Sequence, residues 1–144
     1  MSVFIRATPD VLYKLVSDIE NLSAFWPDYE FRRDGAEPLK PGDLYYSRQK
    51  GHDQWVPYRI AILEPNQRPA GELVKGDRLF ARLRYDHRFA AQDDATLSHE
   101  TVEYKLRHGF LGRVADRFVV RRIIKQQVLN AHLMLKRSAE EDES

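Results

Sequence analysis

The sequence predicts an α+β fold, an antiparallel sheet with helices on one side, and three observations carry that prediction. First, Leu79, Ala81, Leu83, Tyr85, His87 and Phe89 alternate with Arg82, Arg84, Asp86 and Arg88, the period of a strand with one face buried. Second, Leu111–Arg137 contains no proline and no glycine after Gly112, and it is rich in Leu, Arg, Lys, Gln and Ala, which suit a helix. At 1.5 Å per residue such a helix runs roughly 40 Å, the width of a small domain. Third, the stretch between Tyr29 and Lys75 is broken into short β-type runs by Gly and Pro clusters. A sheet with an apolar face needs a cover, and helices packed on that face make a layered α+β domain.

In chain order, Ser2–Arg6 forms a short strand. Thr8 is placed as a helix N-cap, with Pro9 at the first helical position and Asp10 where an acid suits the helix dipole. Val11, Leu12, Leu15 and Val16 supply one apolar face. Asp18 opens a second short helix carrying Leu22, Phe25 and Trp26, which stops before Pro27. Tyr29–Arg33, Leu44–Gln49 and Trp55–Glu64 are expected strands, and Pro57 argues for an edge position or a bulge in the third. Gly35–Gly42 and Pro65–Gly71 read as loops, and Glu72–Lys75 as a short strand before a turn at Gly76-Asp77. The alternating strand then links through Ala90–Ala95 to Thr96–Leu106. There Ser98, Glu100, Val102, Tyr104 and Leu106 form a second inward set, which brings Glu100 beside Tyr85 or His87. The last helix is the only element long enough to cover the sheet.

Composition limits the classes of function. At 42% apolar and 31% charged residues the chain reads as an ordinary soluble domain, one by length: residues 1–138, followed by an acidic, disordered tail over 139–144. A first strand starting almost at Met1 is also compatible with a domain cut from a longer chain. There is no cysteine, so disulfides and Cys-based zinc sites are excluded. No signal-like segment and no membrane-length apolar run occurs, which points to a cytoplasmic protein. The net charge of +1 hides a segregation: Lys105–Arg137 holds nine Lys or Arg and one acid, Asp116. A basic helix suits an anionic membrane surface or nucleic acid. Because the cations alternate with buried-type residues, the line Arg117, Arg121, Lys125, His132 and Lys136 reads rather as the wetted back of the helix. Nucleic acid is then the poorer match. Val119, Ile123, Asn130 and Met134 are placed on the opposite, working side.

Several of these motifs, taken in order, resemble the START/helix-grip (SRPBCC) superfamily of lipid-transfer domains, polyketide cyclases and dehydratases, coenzyme Q-binding proteins and pollen-allergen-like carriers. The passage Thr8-Pro9-Asp10-Val11 through Leu15-Val16-Ser17-Asp18 is similar to the family's first strand-to-helix connection, and Phe25-Trp26-Pro27 to its second helix end. A bacterial cyclase/dehydrase-like branch carries a His-x-His-x-Phe run, then Thr, an acid and Val-x-Tyr, before a Gly-x-x-Gly helix start. The corresponding residues are Tyr85, His87 and Phe89, then Thr96, Glu100, Val102 and Tyr104, then Gly109 and Gly112. Tyr85 departs from the pattern's first His, and Arg107-His108 replaces its usual Pro. The resemblance implies about seven curved strands wrapped around the last helix, with a cavity between them for an apolar molecule. It does not imply one chemistry, since carriers and enzymes share the fold.

The site candidates follow from the inward faces. His87, Glu100, Tyr85 and Tyr104 could orient a polar group of a ligand, or His87 and Glu100 could act as acid and base in a cyclisation or dehydration. The plainer alternative is a buried hydrogen-bonded network with no ligand. Val102, Val119, Ile123 and Asn130 are expected on the cavity wall. Phe25, Trp26, Tyr45, Trp55, Tyr58 and Phe80 are the aromatic candidates, with Phe80 facing outward by alternation. Gln126, Gln127 and Asn130 interrupt the helix's apolar side, which fits a partly wet cavity or its margin. Metal binding is not expected: His99-Glu100-Thr101-Val102-Glu103 lacks the second His of a zinc-protease motif and reads as strand. Gly109–Gly112 with Arg113 is a weak anion-site pattern at a helix start. No cofactor motif occurs. The expectation is a carrier of a lipid, quinone or polyketide-like molecule, with a cyclase/dehydratase or a basic-helix interaction module as alternatives.

Overall fold

The structure, a computed structural model, describes residues 1–76, 80–106 and 119–143. In order these form β1 (Ser2–Ile5), α1 (Pro9–Ser17), a 3-10 helix (Ile19–Ala24), β2 (Tyr29–Arg33), β3 (Leu44–Gln49), β4 (Val56–Glu64), β5 (Arg68–Leu73), β6 (Phe80–Gln92), β7 (Ala95–Leu106) and α2 (Arg121–Glu143). All seven strands pair antiparallel in one sheet, ordered β1-β7-β6-β5-β4-β3-β2. Every neighbouring pair except β1–β7 is consecutive in the chain. The single crossover is made by α1 and the 3-10 helix, which carry the chain from one sheet edge to the other. With α2 packed against the inner face, this is the α+β helix-grip architecture. Among the described residues, no helix is long and apolar enough to cross a membrane.

The start of the crossover follows its sequence signals. Thr8 is the N-cap in extended conformation and Pro9 opens α1, where its missing N–H removes no helix bond. The Thr96 hydroxyl donates to the Ala7 carbonyl (2.7 Å) and ties this turn to β7. One packed core joins Ile5, Ala7, Leu12 and Phe25 to Phe89 and to Ala131, Leu135 and Ala139 of α2. A second, smaller cluster groups Ile19, Tyr45 and Ile60 at the other end of the sheet. The interior is therefore packed at two ends rather than filled throughout. On the outer face, Arg68 holds Asp86 through two guanidinium nitrogens (3.0 and 2.6 Å), bracing β5 against β6. Arg32 lies over the Tyr46 and Trp55 rings and Arg48 over Trp55, which clamps β2 to β3 and to the residue preceding β4.

Five local expectations need correction. Pro65–Gly71 is not all loop, because β5 begins at Arg68. Pro69 is tolerated since β5 pairs with β6 only from Ala70 onward, so its missing N–H interrupts no bond on that side. Pro57 lies in an interior strand; the bulge in β4 falls at Ala61, between Ile60 and Ile62. The hairpin link is not Ala90–Ala95 but the two residues Asp93-Asp94, with Asp93 at φ 56°. A register shift between Phe80 and Arg82 turns Phe80 to the inner face instead of the outer one. Finally, residues 139–143 are not a disordered tail, since α2 runs through Glu143 and Ala139 is fully buried. The Glu140 carboxylate accepts from the Arg6 backbone N–H (3.1 Å), anchoring this last turn beside β1. Leu79, the segment 111–118 and the Gly109–Gly112 turn with Arg113 and Arg117 lie outside the described residues.

Candidate ligand cavity

A cavity of about 1360 Å³ lies between the inner sheet face and α2. Its wall is mainly apolar: Ile19, Leu22, Phe25 and Trp26 from the crossover, Phe31, Tyr45, Tyr58, Ile60, Phe80 and Leu83 from the sheet, and Ile124, Val128, Ala131 and Leu135 from α2. Gln49, His52, Asp53 and Gln54 in and after the end of β3, and Gln127 of α2, line it while exposed to solvent, so the cavity opens there. At the opposite, enclosed end stand His87 and Glu100.

The β6–β7 register makes this pair. His87 sits directly opposite Glu100, and Tyr85 opposite Val102, so the inner face presents an imidazole and a carboxylate side by side. His87 Nε2 lies 3.2 Å from Glu100 Oε1. Across the gap α2 contributes His132, whose Nδ1 is 4.0 Å from Glu100 Oε2 and whose Nε2 is 2.7 Å from the Ser98 hydroxyl. The His87 and His132 rings meet edge to face with centroids 6.1 Å apart. His87 Nδ1, Glu100 Oε2 and His132 Nδ1 are buried without a hydrogen-bond partner. Three unsatisfied polar atoms in one buried group is a costly arrangement, and it marks a place where a further polar group fits.

The three groups differ in charge. Burial opposes charge on His87, but the adjacent Glu100 carboxylate outweighs it and the imidazole pKa is raised. Burial likewise opposes ionisation of Glu100, yet the attraction and hydrogen bond of His87, helped by His132 and the chain's amino terminus, lower its pKa. His132 is driven down to about 4, first by burial, against the pull of Glu100 and with the repulsion of His87. Glu100 is thus held toward its carboxylate form and favours the protonated form of His87, while burial keeps His132 a neutral imidazole at neutral pH. Burial pushes the Tyr45 and Tyr85 phenols up, so both remain neutral O–H groups on the cavity wall. Tyr45 stacks on Tyr58 (5.3 Å) and Tyr85 meets Trp26 edge to face (5.8 Å). Gly71, in β5 opposite Tyr85, has no side chain, and the Tyr45 hydroxyl occupies the space a Cβ would take.

The sequence candidates divide in two. Tyr85, His87, Glu100, Trp26 and Tyr45 all line the cavity, as do Phe25, Tyr58 and Phe80. Trp55 does not, being held under Arg32 and Arg48 on the outer face. Val102 and Tyr104 share the inner face but are not among the described residues lining the cavity; Tyr104 packs edge to face on Phe80. The helix candidates are on the wrong side. Val119 and Ile123 are exposed, Asn130 is exposed and accepts from Gln126, and Met134 is exposed too. Buried instead are Val128, Ala131, Leu135, Ala139 and His132, the last at 1% exposure although it was assigned to the wetted line. That row contains two alanines and a histidine, so its apolar pattern is weaker than the exposed one, and packing against a close sheet favours small residues. His132 and Gly71 are the site residues that sequence reasoning missed. The spacing of His132 from Arg121, Lys125 and Lys136 put it on the line of cations, so only its neighbour Ala131 hinted at burial. Among the described residues, no cluster of three His, Asp or Glu side chains is arranged to hold a metal ion.

Comparison with known proteins places this geometry. Solved structures with the same fold include the ZhuI aromatase/cyclase of a Streptomyces species (TM-score 0.80, 11% identity, covering 100% of this chain and 93% of that one). A START superfamily protein from Mycobacterium smegmatis is similar as well (TM-score 0.75, 14% identity, 98% and 95% covered). So is a Thermus thermophilus protein (TM-score 0.76, 19% identity, 100% and 97% covered). No curated protein matches the chain. A family profile described as polyketide cyclase/dehydrase and lipid transport matches residues 5–132, which run from the end of β1 to the middle of α2 and take in every cavity-wall residue named above except Leu135. The chain belongs to the polyketide cyclase/dehydrase and lipid transport family.

Proposed function

We propose that this protein binds a hydrophobic small molecule, a lipid, quinone or polyketide-like compound, in the cavity between the sheet and α2. The observation carrying the reading is the cavity itself: about 1360 Å³, aromatic and aliphatic along its wall, with polar groups gathered at its closed end. Ligand pockets for drug-sized molecules run roughly 300–1,000 Å³, so the space suits a larger apolar skeleton. His87 and Glu100 would meet the polar end of such a ligand, because both keep a buried atom without a partner. Tyr85 would add a neutral hydroxyl on the same wall. Native mass spectrometry after incubation with a lipid extract tests this. The expected result is a retained mass on the wild type that is reduced in the His87→Ala/Tyr85→Phe variant; no retained mass, or equal retention by the variant, would refute it.

A second reading is an enzyme of the cyclase/dehydratase type. What favours it is the His87–Glu100 contact at 3.2 Å on the cavity wall, an imidazole whose protonated form is favoured by the carboxylate beside it. In a dehydration, Glu100 would take the proton next to a ligand carbonyl while His87 protonates the departing hydroxyl, leaving a carbon–carbon double bond and water. Turnover of a β-hydroxy ketone that is unaffected by both His87→Gln and Glu100→Gln would remove this reading.

A further inference from the structure

Large apolar side chains left exposed are concentrated on one helix. Of the seven among the described residues, Val119, Ile123, Leu133 and Met134 belong to α2 or to the turn just before it. Val119 and Ile123 are 53% and 49% exposed, one helical turn apart, on the side opposite the buried row of Val128, Ala131 and Leu135. The segment 119–139 carries five Lys or Arg and no acid. Near its C-terminal end Lys136 and Arg137 are paired within the helix to Glu140 and Glu141. Positive charge is therefore concentrated in the first turns, where Arg122 and Lys125 are exposed along one flank of the Val119–Ile123 stripe. The cavity opens at the same end of the helix: Ile124 and Gln127 line it, and Gln127 is exposed.

We propose that Val119 and Ile123, with Arg122 and Lys125, form a docking surface for an anionic lipid bilayer. A helix face of this kind lies in the membrane interface, with its apolar side chains at the acyl boundary and its cations among headgroup phosphates. A second copy of the chain fits less well, because two-fold pairing of this face sets like charges against each other. Nucleic acid would use the cations and leave Val119 and Ile123 in water. The surface stands on exposure and charge and does not depend on the cavity's being a ligand site. Where both hold, an apolar molecule passes between bilayer and cavity without crossing water.

Co-sedimentation of the full chain with phosphatidylcholine vesicles, with and without phosphatidylglycerol, tests the proposal. The wild type is expected to bind only the anionic vesicles, and less as salt rises. Val119→Ser/Ile123→Ser and Arg122→Glu/Lys125→Glu should each weaken binding about tenfold or more, with the melting temperature unchanged because all four side chains are exposed. Absent binding, equal binding to neutral vesicles, or full binding by the Val119→Ser/Ile123→Ser variant would overturn it. So would a dimer that this variant dissociates, which identifies a second copy as the partner, or duplex DNA binding that the variant leaves intact and that displaces the vesicles.

Discussion

Burying Glu100 at 3% exposure is tolerable only because His87 stands across the ladder from it. The pair is held by strand register, so each charge has its partner without the entropy cost of arranging two long flexible side chains. Replacing Glu100 by Gln removes the main counter-charge; burial, the largest influence on His87, then outweighs the remaining pull of Asp86 and its pKa drops below the ordinary imidazole value. The cost in stability is expected at about 1–3 kcal/mol near pH 6, less than for an unrelieved buried charge because His87 escapes by losing its proton. Urea unfolding and an NMR titration of the His87 ring check both parts, and an unchanged ring titration would show that Glu100 does not set its charge. Gly71 is a second position where one side chain decides the local fit. A methyl group there overlaps the Tyr45 hydroxyl and comes within 3.0 and 3.2 Å of the ring atoms Cζ and Cε1. Gly71→Ala should therefore destabilise by about 1–3 kcal/mol, and adding Tyr45→Phe should restore part of that, since the ring contacts remain tight. Strictly additive losses in the double variant would show that the two positions do not compete for the same space.

At the scale of elements, the hairpin and the last helix show what a sequence can and cannot specify. The β6–β7 pairing was legible because period-two alternation runs along both strands, and one slip in register would turn every inward residue outward. That is why the meeting of His87 and Glu100 could be anticipated to within one ladder step. The last helix offered no such constraint. Val119, Ile123 and Met134 make a more apolar stripe than Val128, Ala131, Leu135 and Ala139, so hydrophobicity alone selects the wrong face. Burial was decided by small side chains that let α2 approach the sheet, and by His132 finding Ser98 and Glu100. The acidic end was misjudged for a related reason. Four consecutive acids read as solvated tail, but Ala139 just before them is buried and Glu140 accepts from the backbone of Arg6. Removing residues 139–144 is consequently expected to cost about 1–3 kcal/mol, from one buried side chain, one tertiary hydrogen bond and a frayed final turn. Thermal unfolding of the truncated chain measures it; a melting temperature equal to wild type would mean that the last turn contributes nothing.

For the whole molecule, the buried groups at the closed end of the cavity impose a pH optimum on stability. His132 has its folded pKa at about 4 against 6.5 in the unfolded chain, so below pH 6.5 the unfolded state takes up a proton that the folded state refuses. Stability falls as pH drops from 6.5 toward 4, by about 3 kcal/mol at roughly 1.4 kcal/mol per pH unit. Glu100 adds to the acid limb, because its folded pKa is lowered and its contribution, complete above 4.5, is lost as pH falls through the folded value. His87 acts in the opposite direction and in another window. Its folded pKa is raised, so its contribution is complete below 6.5 and is lost as pH rises from there through the folded value. These three groups together therefore place a maximum near pH 6.5. The two limbs separate by substitution: His132→Gln keeps a partner for Ser98 yet cannot take a proton, and should flatten the acid limb while leaving the alkaline limb in place. His87→Gln should do the reverse. Urea midpoints measured from pH 4.5 to pH 8.5 distinguish the cases. A wild-type curve without an acid limb, or one that persists in His132→Gln, would mean that His132 is reached by water and titrates as an ordinary histidine, and the closed end of the cavity would then be wet.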